Sequence, residues 1–437
     1  MAQRMNRRRF LRAAGAAGAA ALAGPRILSS ASPNEKLNIA CIGVGGRGGS
    51  HVRAASRENV VALVDVEKKR VDSAGKVAPK AKKYFDYRKM FDEMAGQIDA
   101  VVVATPDHNH APATMRALKL GKHCYTEKPL THSIHEARAL AAEAAKRKLA
   151  TQMGNQGHAA EGYRLLCEWI WDGAIGDVTE AHAWTDRPAG WWPQGVERPK
   201  PQPVPKGLEW DLWLGPAPAR PYAAGYHPFA WRGWFDFGTG ALGDMGCHIM
   251  DGAFWALKLA APTRVSVESS GHNGDSYPAW SVTTYHFPKR GALAPCTLTW
   301  YDAKRLPPRE LAGLEAKQKY PSNGSLFVGT KGKILIPHGG GPRLLPKQLM
   351  KEYKRPDKTI ARSNGGHWNE WIRACKGGPA PMSHFGYSGP LTEMVLLGSL
   401  AQRLDREIAW DAGKMKVTNV ADADRFVRRE YRKGWTL

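Results

Sequence analysis

The stretch 37-LNIACIGVGGRG-48 joins an apolar, strand-like run to three glycines, Gly43, Gly45 and Gly48, with the spacing G-x-G-x-x-G. Between a strand and a helix, such glycines permit a tight turn and let backbone N–H groups approach a pyrophosphate at the helix N-terminus. Asp65 follows Gly45 by about twenty residues, where a carboxylate at the end of the next strand can bind a ribose hydroxyl. The stretch therefore predicts a dinucleotide-binding domain.

Alternating strand-like and helix-like segments extend this pattern over residues 32–157. Apolar runs lie at 60–66, 99–106 and 122–130, and helices are predicted from about Gly49 and over 111–121. Continuous apolar strands between amphipathic helices indicate a buried parallel sheet, and hence a Rossmann domain. Asp65 favours NAD as the cofactor, whereas the basic run Lys68–Arg70 keeps NADP as the alternative.

Polar residues follow two further strands of this predicted sheet. In 105-TPDHNH-110 the two histidines suggest a metal cluster, but the carboxyl end of a Rossmann strand lines the ligand crevice and explains them without a cation. In 126-TEKPL-130, Glu127 and Lys128 lie beside the same crevice. The ammonium group of Lys128 is suited to hydrogen-bond a substrate hydroxyl, and the alternative is a salt bridge at a strand end.

A second candidate pair lies in 240-GALGDMGCHIMDGAFWAL-257, where Asp244 and His248 are four residues apart. On a helix this spacing puts both side chains on one face, so that they can point together into a cleft. The alternative is a carboxylate near a helix start and a histidine in the core. The pair alone does not decide between these interpretations.

Four motifs of this sequence resemble, in their order along the chain, those of the Gfo/Idh/MocA oxidoreductases. They are 43-GVGGRG-48, 105-TPDHNH-110, the E-K-P of Glu127 to Pro129 and the D-x-x-x-H of Asp244 to His248. The resemblance implies a Rossmann domain followed by a C-terminal α/β domain, here 158–437, with an open, largely antiparallel sheet. It also implies that Lys128, Asp244 and His248 meet over the nicotinamide as catalytic residues. The cofactor contacts expected from these motifs are Gly43, Gly45, Gly46, Arg47, Gly48, Asp65, Thr105, Pro106, His108, His110, Glu127 and Lys128.

Oxidation of a secondary alcohol requires a base that removes the hydroxyl proton while carbon delivers a hydride to the cofactor. We expect His248 to be that base, since neutral imidazole suits the task near pH 7. Lys128 would polarise the hydroxyl, and Asp244 would bind a neighbouring hydroxyl or orient the histidine. A Lys128–Asp244 relay with the lysine as proton acceptor is the alternative assignment.

The second half predicts strands over 177–186, 263–271, 281–288 and 294–302, a hairpin over 325–336 and helices over 366–378 and 390–404. Seven tryptophans lie between Trp184 and Trp234, interleaved with proline, glycine and arginine. They suit either a platform for sugar rings or a small core of the insert itself. The expected substrate contacts are Gln156, His158, Arg187, Trp231 and Arg232.

The first 31 residues read as a twin-arginine export signal, since Arg7 and Arg8 precede Phe10, Leu11 and a short Ala/Gly-rich run. We therefore expect a periplasmic or otherwise exported protein. The net charge is +23, or +17 without residues 1–31, but lysines and arginines alternate with carboxylates and no nucleic-acid motif is present. The six cysteines show no C-x-x-C spacing and are expected to be mostly buried thiols.

These observations predict an NAD(P)-dependent oxidoreductase that acts on a secondary hydroxyl of a sugar or sugar derivative, with tightly bound cofactor and as a homo-oligomer, a dimer or tetramer. A redox-neutral glycosidase or lyase that uses resident NAD is one alternative, and a non-catalytic sugar-binding protein is another. The sequence lacks G-x-S-x-G and H-E-x-x-H, which excludes the serine-hydrolase and zincin motifs. No metal and no membrane span after the signal are expected.

Overall fold

The structure is a computed structural model that describes residues 35–314 and 317–437. The export signal predicted for residues 1–31 lies outside the described residues. Residues Lys36–Leu437 group into one unit by their contacts. None of the helices in these ranges has both the length and the apolar character that a bilayer crossing needs.

The N-terminal half contains a parallel sheet of six strands in the order β3-β2-β1-β4-β5-β6, which confirms the predicted Rossmann arrangement. The strands are β1 Asn38–Ile42, β2 Asn59–Val64, β3 Lys82–Tyr84, β4 Ala100–Val103, β5 His123–Thr126 and β6 Thr151–Met153. The central strand β4 is buried throughout, as its continuous apolar sequence AVVV requires in a sheet covered on both faces.

Five helices connect these strands: α1 Arg47–Ala55, α2 Lys68–Val77, α3 Tyr87–Met94, α4 His110–Lys119 and α5 Ile134–Arg147. Helix α1 begins two residues before the predicted Gly49, directly after Gly46, which has φ 50°. Helix α5 begins with a capping box in which the Ser133 side chain accepts from the backbone of Glu136 and the Glu136 side chain accepts from that of Ser133.

The second half is built on a nine-stranded sheet in the order β13-β12-β11-β7-β10-β9-β8-β14-β15. Among the described strand pairs of this second sheet, only β10 and β7 are parallel, which confirms the largely antiparallel sheet. The strands are β7 Val178–Trp184, β8 Arg264–Ser269, β9 Ser281–Phe287, β10 Cys296–Tyr301, β11 Gly324–Gly329, β12 Lys333–Pro337, β13 Arg343–Leu345, β14 Ile408–Asp411 and β15 Lys416–Val417. The predicted hairpin is the pair β11 and β12, in register Leu326 to Leu335.

The helices of the second half are α6 Glu161–Trp171, α7 Trp210–Leu214, α8 Gly240–Ile249, α9 Asp251–Ala256, α10 Arg309–Ala312, α11 Lys347–Glu352, α12 Gly366–Cys375, α13 Phe385–Leu404 and α14 Asp424–Val427. Helix α13 begins five residues before the predicted start and contains Pro390. Burial of Phe385 and Leu391 on either side of the proline holds the helix together, since the proline removes only one backbone donor.

Helix α12 belongs to the second half of the chain but covers the first sheet. Its Trp371 and Cys375 share one apolar cluster with Ile39 of β1 and Tyr125 of β5. In addition, Gln152 of β6 donates a hydrogen bond of 2.5 Å to the carbonyl of His367. The core of the Rossmann sheet is therefore completed by residues more than two hundred positions away.

The tryptophan-rich insert forms a small core and also contributes to a cavity wall. Trp213, Trp231 and Trp234 are buried in one cluster with Tyr226 and Phe237. Trp191 is exposed and lines the large cavity described below. The interpretation as a small core is therefore confirmed for the buried tryptophans, and the sugar platform stays a prediction for Trp191. All six cysteines are buried free thiols, as predicted.

Candidate active site

A cavity of about 570 Å³, here called the active cavity, lies at the carboxyl edge of the parallel sheet. The strand order places the residues after β3, β2, β1, β4 and β5 side by side along this edge. The active cavity contacts each of them in turn, at Phe85, Asp65, Gly43, Thr105 and Lys128. Its far wall comes from the second half and includes Arg187, Trp231, Arg232, Asp244 and His248.

The glycine loop is shaped for close backbone approach. Gly43 has φ 78°, and a Cβ there would lie 2.6 Å from the carbonyl oxygen of Ala104. A Cβ on Gly48 would lie 1.8 Å from the oxygen of Gly43, so helix α1 can approach β1 only without a side chain at this position. A Cβ on Gly46 would meet no atom within 4 Å, which leaves the loop open towards the active cavity.

Asp65 supports this loop from the end of β2. Its Oδ2 accepts hydrogen bonds from the backbone of Val44 at 2.9 Å and Gly45 at 3.2 Å. Burial raises the pKa of its carboxyl group, and the neighbouring Arg70 together with the backbone donors opposes that shift. Arg70 lines the active cavity beside Asp65 and is held by Glu67 at 2.7 Å. A role of Asp65 at the ribose remains a prediction.

Glu127 links the glycine loop to the end of β5. Its Oε1 is 2.7 Å from Nε2 of His51, 3.1 Å from Nε of Arg47 and 3.1 Å from the amide nitrogen of Gln156. Burial opposes ionisation, but the hydrogen bond from His51 and the charges of His51 and Arg47 outweigh it and lower the pKa of Glu127. The carboxylate therefore fixes the position of Arg47 beside the loop.

Asp244 is the centre of a cluster of three cations. Lys128 Nζ lies 2.9 Å from its Oδ1 and 2.8 Å from its backbone oxygen. Arg187 is 2.6 Å from Oδ2, and Arg232 is 3.1 Å from Oδ1. Burial opposes its ionisation, yet the charges of Lys128, Arg232 and Arg187 hold the pKa of Asp244 far below its usual range. Asp244 is therefore an anion that positions all three cations.

His248 lies one helical turn beyond Asp244 and lines the same cavity. Burial and then the charge of Lys128 hold the pKa of its imidazole well below 6.5, and the nearby His338, 5.5 Å between ring centres, lowers it further. Its Nδ1 has no hydrogen-bond partner among the residues that the structure describes. His248 is thus a neutral imidazole that can accept a proton.

The low pKa of His248 has a consequence for the pH dependence of turnover. A base with a lowered pKa stays neutral as the pH falls, so kcat/KM should hold down to pH 6 and decline only well below pH 6.5. Initial rates from pH 5 to pH 8 at fixed ionic strength test this expectation. Half-maximal kcat/KM near pH 6.5 would contradict the assignment of His248 as a buried neutral base.

Aromatic rings hold the two arginines flat against the cavity wall. The guanidinium carbon of Arg187 is 4.1 Å from the ring centre of Trp191. That of Arg232 is 4.2 Å from Phe229 and 4.3 Å from Trp231. Stacking occupies the faces of a guanidinium and leaves its N–H edges for acceptors. This wall therefore presents oriented donors beside Lys128.

The structure gathers most of the sequence-predicted residues around the active cavity but places three elsewhere. Gly48 lies in the contact between α1 and β1. His108 is buried, with Nδ1 at 3.1 Å from the carbonyl oxygen of Phe237 and Nε2 at 2.9 Å from the side-chain amide nitrogen of Asn109. His158 is buried with Nδ1 at 2.9 Å from Asp251 and its ring stacked on Trp255. We correct the positions of the two histidines: His108 and His158 face the protein interior because neighbouring polar groups bind their ring nitrogens. The predicted part of Gly48 in the glycine loop stays a prediction.

His110 lines the active cavity, but its ring nitrogens are each 2.8 Å from a carbonyl oxygen, those of Pro129 and Thr105. It therefore ties the ends of β4 and β5 together. Among the residues that the structure describes, no group of three or more potential ligands could hold a metal ion. The Lys128–Pro129 peptide is cis.

Sequence reasoning missed several residues of the active cavity. The additional wall residues with polar or aromatic side chains are Phe85, Asp86, Tyr87, Asp107, Asn109, Trp191, Trp213, Phe229 and Trp435. Asp107 is part of the quoted T-P-D-H-N-H segment, and its Oδ2 accepts from the Thr239 hydroxyl at 2.6 Å. Trp435 is more than three hundred residues from the Rossmann motifs, and no local sequence pattern predicts that it lines the active cavity.

The cavity fits a dinucleotide along the sheet edge. The open loop at Gly46 and the side chain of Arg47 suit a pyrophosphate, since both supply donors. Asp65 and Arg70 border the adjacent ribose position, and Phe85, Tyr87 and Trp435 supply flat apolar walls. Lys128, after β5, and His248, on α8, lie at the opposite end, where a reacting ring and its substrate would meet.

Fold and site together define a dinucleotide-binding α/β protein with a second α/β half. Residues 37–155 match the model of the Gfo/Idh/MocA oxidoreductase family described as an NAD-binding Rossmann fold, and residues 175–293 match the C-terminal α/β domain of the same family. The chain belongs to the Gfo/Idh/MocA oxidoreductase family. The family match confirms the predicted cofactor, NAD.

Individual relatives are distant. An inositol 2-dehydrogenase from Rhodococcus erythropolis is 31% identical over 164 residues, which cover 36% of this chain and 46% of that protein. A glycosyl hydrolase family 109 protein from Shewanella pealeana is 27% identical over 161 residues, covering 30% of this chain and 35% of that protein. In both cases the matched segment covers less than half the length of the relative.

Among solved structures, the fold resembles the WlbA dehydrogenase from Bordetella pertussis, a complex with NADH and UDP-GlcNAcA. The TM-score is 0.59, the identity is 14%, and the match covers 86% of this chain and 99% of that one. At this identity the likeness shows the fold alone.

Proposed function

We propose that the protein is an NAD-dependent oxidoreductase that oxidises a secondary hydroxyl of a sugar or sugar derivative. The observation that carries the proposal is the ammonium group of Lys128. Two of its three donors are held by Asp244, at 2.9 Å and 2.8 Å, which leaves the third for a ligand in the active cavity. Neutral His248 lines the same wall and can take the proton of that ligand.

Bound NAD supplies the acceptor for the hydride. Lys128 donates its free N–H to the substrate oxygen and stabilises the negative charge that develops there. His248 accepts the hydroxyl proton as the carbon–hydrogen bond breaks and the carbonyl forms. Asp244 does not take part in proton transfer in this scheme, because its three cations keep it ionised. The alternative relay through Lys128 and Asp244 is disfavoured for the same reason.

The charge of the wall bears on the class of sugar. Three cations meet one carboxylate at Asp244, whereas the neighbouring Glu127 is paired with Arg47 and His51, and Asp107 accepts from the Thr239 hydroxyl. An excess of positive charge remains beside the substrate position. A sugar with a carboxylate would neutralise it, because the guanidinium edges of Arg187 and Arg232 suit a planar anion.

The test is a panel of matched sugars, glucose with glucuronate, galactose with galacturonate, and myo-inositol, followed by NADH absorbance and mass spectrometry of the product. We expect an acid to exceed its neutral partner in kcat/KM by tenfold or more, and an Arg187→Gln variant to reduce that ratio. Equal rates for both partners would overturn the acidic preference. NAD binding without oxidation of any sugar would overturn the proposed activity.

The second candidate is a redox-neutral glycosidase that uses resident NAD, and the distant family 109 relative is the observation that favours it. The two candidates differ in their products. If the protein is a redox-neutral glycosidase, nitrophenyl glycosides of the same sugars would release nitrophenol without net formation of NADH, because the NADH formed in one step is reoxidised in a later one. A dehydrogenase would form NADH and leave the glycosidic bond intact.

We further propose that the protein is exported with NAD already bound, on the basis of the twin-arginine pattern at residues 6–12. Trp435 is the residue that we expect to retain the cofactor, since it is buried in the cavity wall with its ring 4.2 Å from the guanidinium carbon of Arg88. The full precursor, exported and purified without nucleotide, should release near-stoichiometric NAD on denaturation.

A Trp435→Ala variant should lower this NAD content by about tenfold, because a buried aromatic wall contributes about 1–2 kcal/mol. A Trp171→Ala variant is the matched control, since Trp171 is exposed and does not line the active cavity. Equal NAD content in both variants would remove Trp435 from the cofactor site. A wild-type protein without NAD, or one that stays in the cytoplasm, would contradict export with bound cofactor.

A further inference from the structure

A second cavity, of about 360 Å³, lies outside the active cavity and shares no wall residue with it. It is enclosed by the start of α5, the middle of α13, a proline-rich turn at 216–218 and the segment 425–430. Its polar wall residues include Arg403, Arg425 and Tyr277, and its apolar walls include Pro216, Pro218 and Phe426. The family match and the proposed reaction assign no role to these residues.

Arg403 is the most unusual of these residues. Its guanidinium carbon lies 4.1 Å from the ring centre of Phe426 and 4.9 Å from that of Phe235, so aromatic rings flank the group. Among the described residues it makes no hydrogen bond and no ion pair, and Asp236, which lines the same cavity, acts on it only through its charge. A half-buried guanidinium whose N–H edges lack acceptors is costly, and a ligand with oxygen atoms would satisfy it.

Two further donors face the same space. Arg425 lies with its guanidinium carbon 4.7 Å from the ring centre of Phe426 and likewise has no acceptor in the described part of the chain. Tyr277 is 4% exposed, and its hydroxyl has no hydrogen-bond partner in the residues described. The second cavity therefore collects two guanidinium groups and a phenol for which the described residues supply no hydrogen-bond acceptor.

The carboxylates nearby do not neutralise these arginines. Asp236 is paired with Arg220, and Glu136 is held by Arg429 at 2.7 Å and by the hydroxyl of Tyr431 at 2.6 Å. Glu430 is exposed at the rim. The interior of the second cavity is therefore positively charged, and its volume is in the range of small-molecule sites.

We propose that the second cavity binds a small organic carboxylate or phosphate, with Arg403 as the central contact and Arg425 and Tyr277 as additional donors. Planar guanidinium edges match the oxygen pairs of both anions, and the proline and phenylalanine walls suit a short carbon skeleton. Hydrogen bonds connect the second cavity to the active cavity. Ser399 in the wall of the second cavity donates to the carbonyl of Thr239 at 3.1 Å, and the Thr239 hydroxyl donates to Asp107, which lines the active cavity.

Isothermal titration of the full enzyme tests the proposal. The enzyme is saturated with NAD so that phosphate cannot occupy the pyrophosphate position of the active cavity, and titrated with inorganic phosphate, with succinate or with chloride at equal ionic strength. Arg187→Gln is titrated in parallel, because an anion bound at the substrate wall of the active cavity would be weakened in that variant and an anion in the second cavity would not. We expect one site per chain for phosphate or succinate and none for chloride. The more tightly bound of the two anions identifies the ligand class as phosphate or carboxylate.

Three variants locate the binding. Arg425→Gln, at an exposed position that is expected to fold normally, should weaken binding by tenfold or more, and Arg403→Met should abolish it. Arg305→Met is the control, because Arg305 stacks on Trp280 at 3.4 Å and lines neither cavity. Binding no stronger than that of chloride in the wild type, or equal affinity in Arg425→Gln and Arg305→Met, would overturn the proposal.

Discussion

A Lys128→Met variant is expected to lose turnover by about 10²–10⁴-fold while it keeps its NAD. Methionine has a similar length but no N–H, so the substrate oxygen loses the donor that stabilises its developing charge. The fold should survive, because Asp244 keeps Arg187 at 2.6 Å and Arg232 at 3.1 Å as partners. Single-turnover hydride transfer, with NAD content measured on the same preparation, tests this expectation.

Lys89→Met is the matched control for this substitution. Lys89 is exposed on α3 and does not line the active cavity, so turnover should stay within twofold of the wild type. If Lys128→Met also stays within tenfold, the lysine plays no part in the chemistry. If it loses NAD together with turnover, its role is to hold the cofactor rather than to assist the reaction.

The second large effect is expected from Gly48→Ala. The added Cβ would lie 1.8 Å from the carbonyl oxygen of Gly43, and both are backbone positions of the glycine loop. Relief of this collision must move α1 away from β1, which we expect to cost about 3 kcal/mol in the free energy of unfolding. The same movement displaces the loop and should weaken NAD binding at least tenfold.

Gly49→Ala separates this steric effect from a general effect of alanine in α1. A Cβ on Gly49 would lie 3.4 Å from the oxygen of Val44, an ordinary contact, so this variant should be as stable as the wild type or more stable by up to about 1 kcal/mol. Urea unfolding and NAD titration of both variants give the comparison. Similar losses in both would show that the Gly48 contact is not the cause.

The Rossmann half was predictable because its signals are local. The glycine spacing, the apolar strands and Asp65 lie within about thirty residues, the length of one strand–helix–strand unit. Helix α1 starts two residues before the predicted position. The residue type of Gly46 does not determine its φ of 50°, because glycine adopts positive and negative φ values about equally. The order of the strands followed from the class of fold that these signals define.

The histidines show where local reasoning fails. His108 and His158 lie in polar segments after strands, as cofactor or substrate contacts would. Whether such a ring faces a cleft depends on acceptors supplied by remote segments, here the carbonyl of Phe237 for His108 and the carboxylate of Asp251 for His158. The sequence shows the imidazoles and not these partners.

The sequence also could not show which tryptophans of the insert are buried and which are exposed. Trp213 and Trp231 are buried together, whereas Trp191 is exposed and carries Arg187 on its face. Composition predicts aromatic contact in such a loop but not which rings turn inward. The meeting of Arg187 and Arg232 at Asp244 likewise depends on tertiary contacts, since these residues come from three separate segments.

The covering of the first sheet by α12 affects the order in which the protein can fold. Ile39 and Tyr125 are synthesised early, but Trp371 and Cys375, which bury them, emerge from the ribosome only after most of the chain. Contacts between such distant segments form slowly, because a long loop must close before they gain any stability. The nucleotide-binding half is therefore expected to mature last, although it comes first in the sequence.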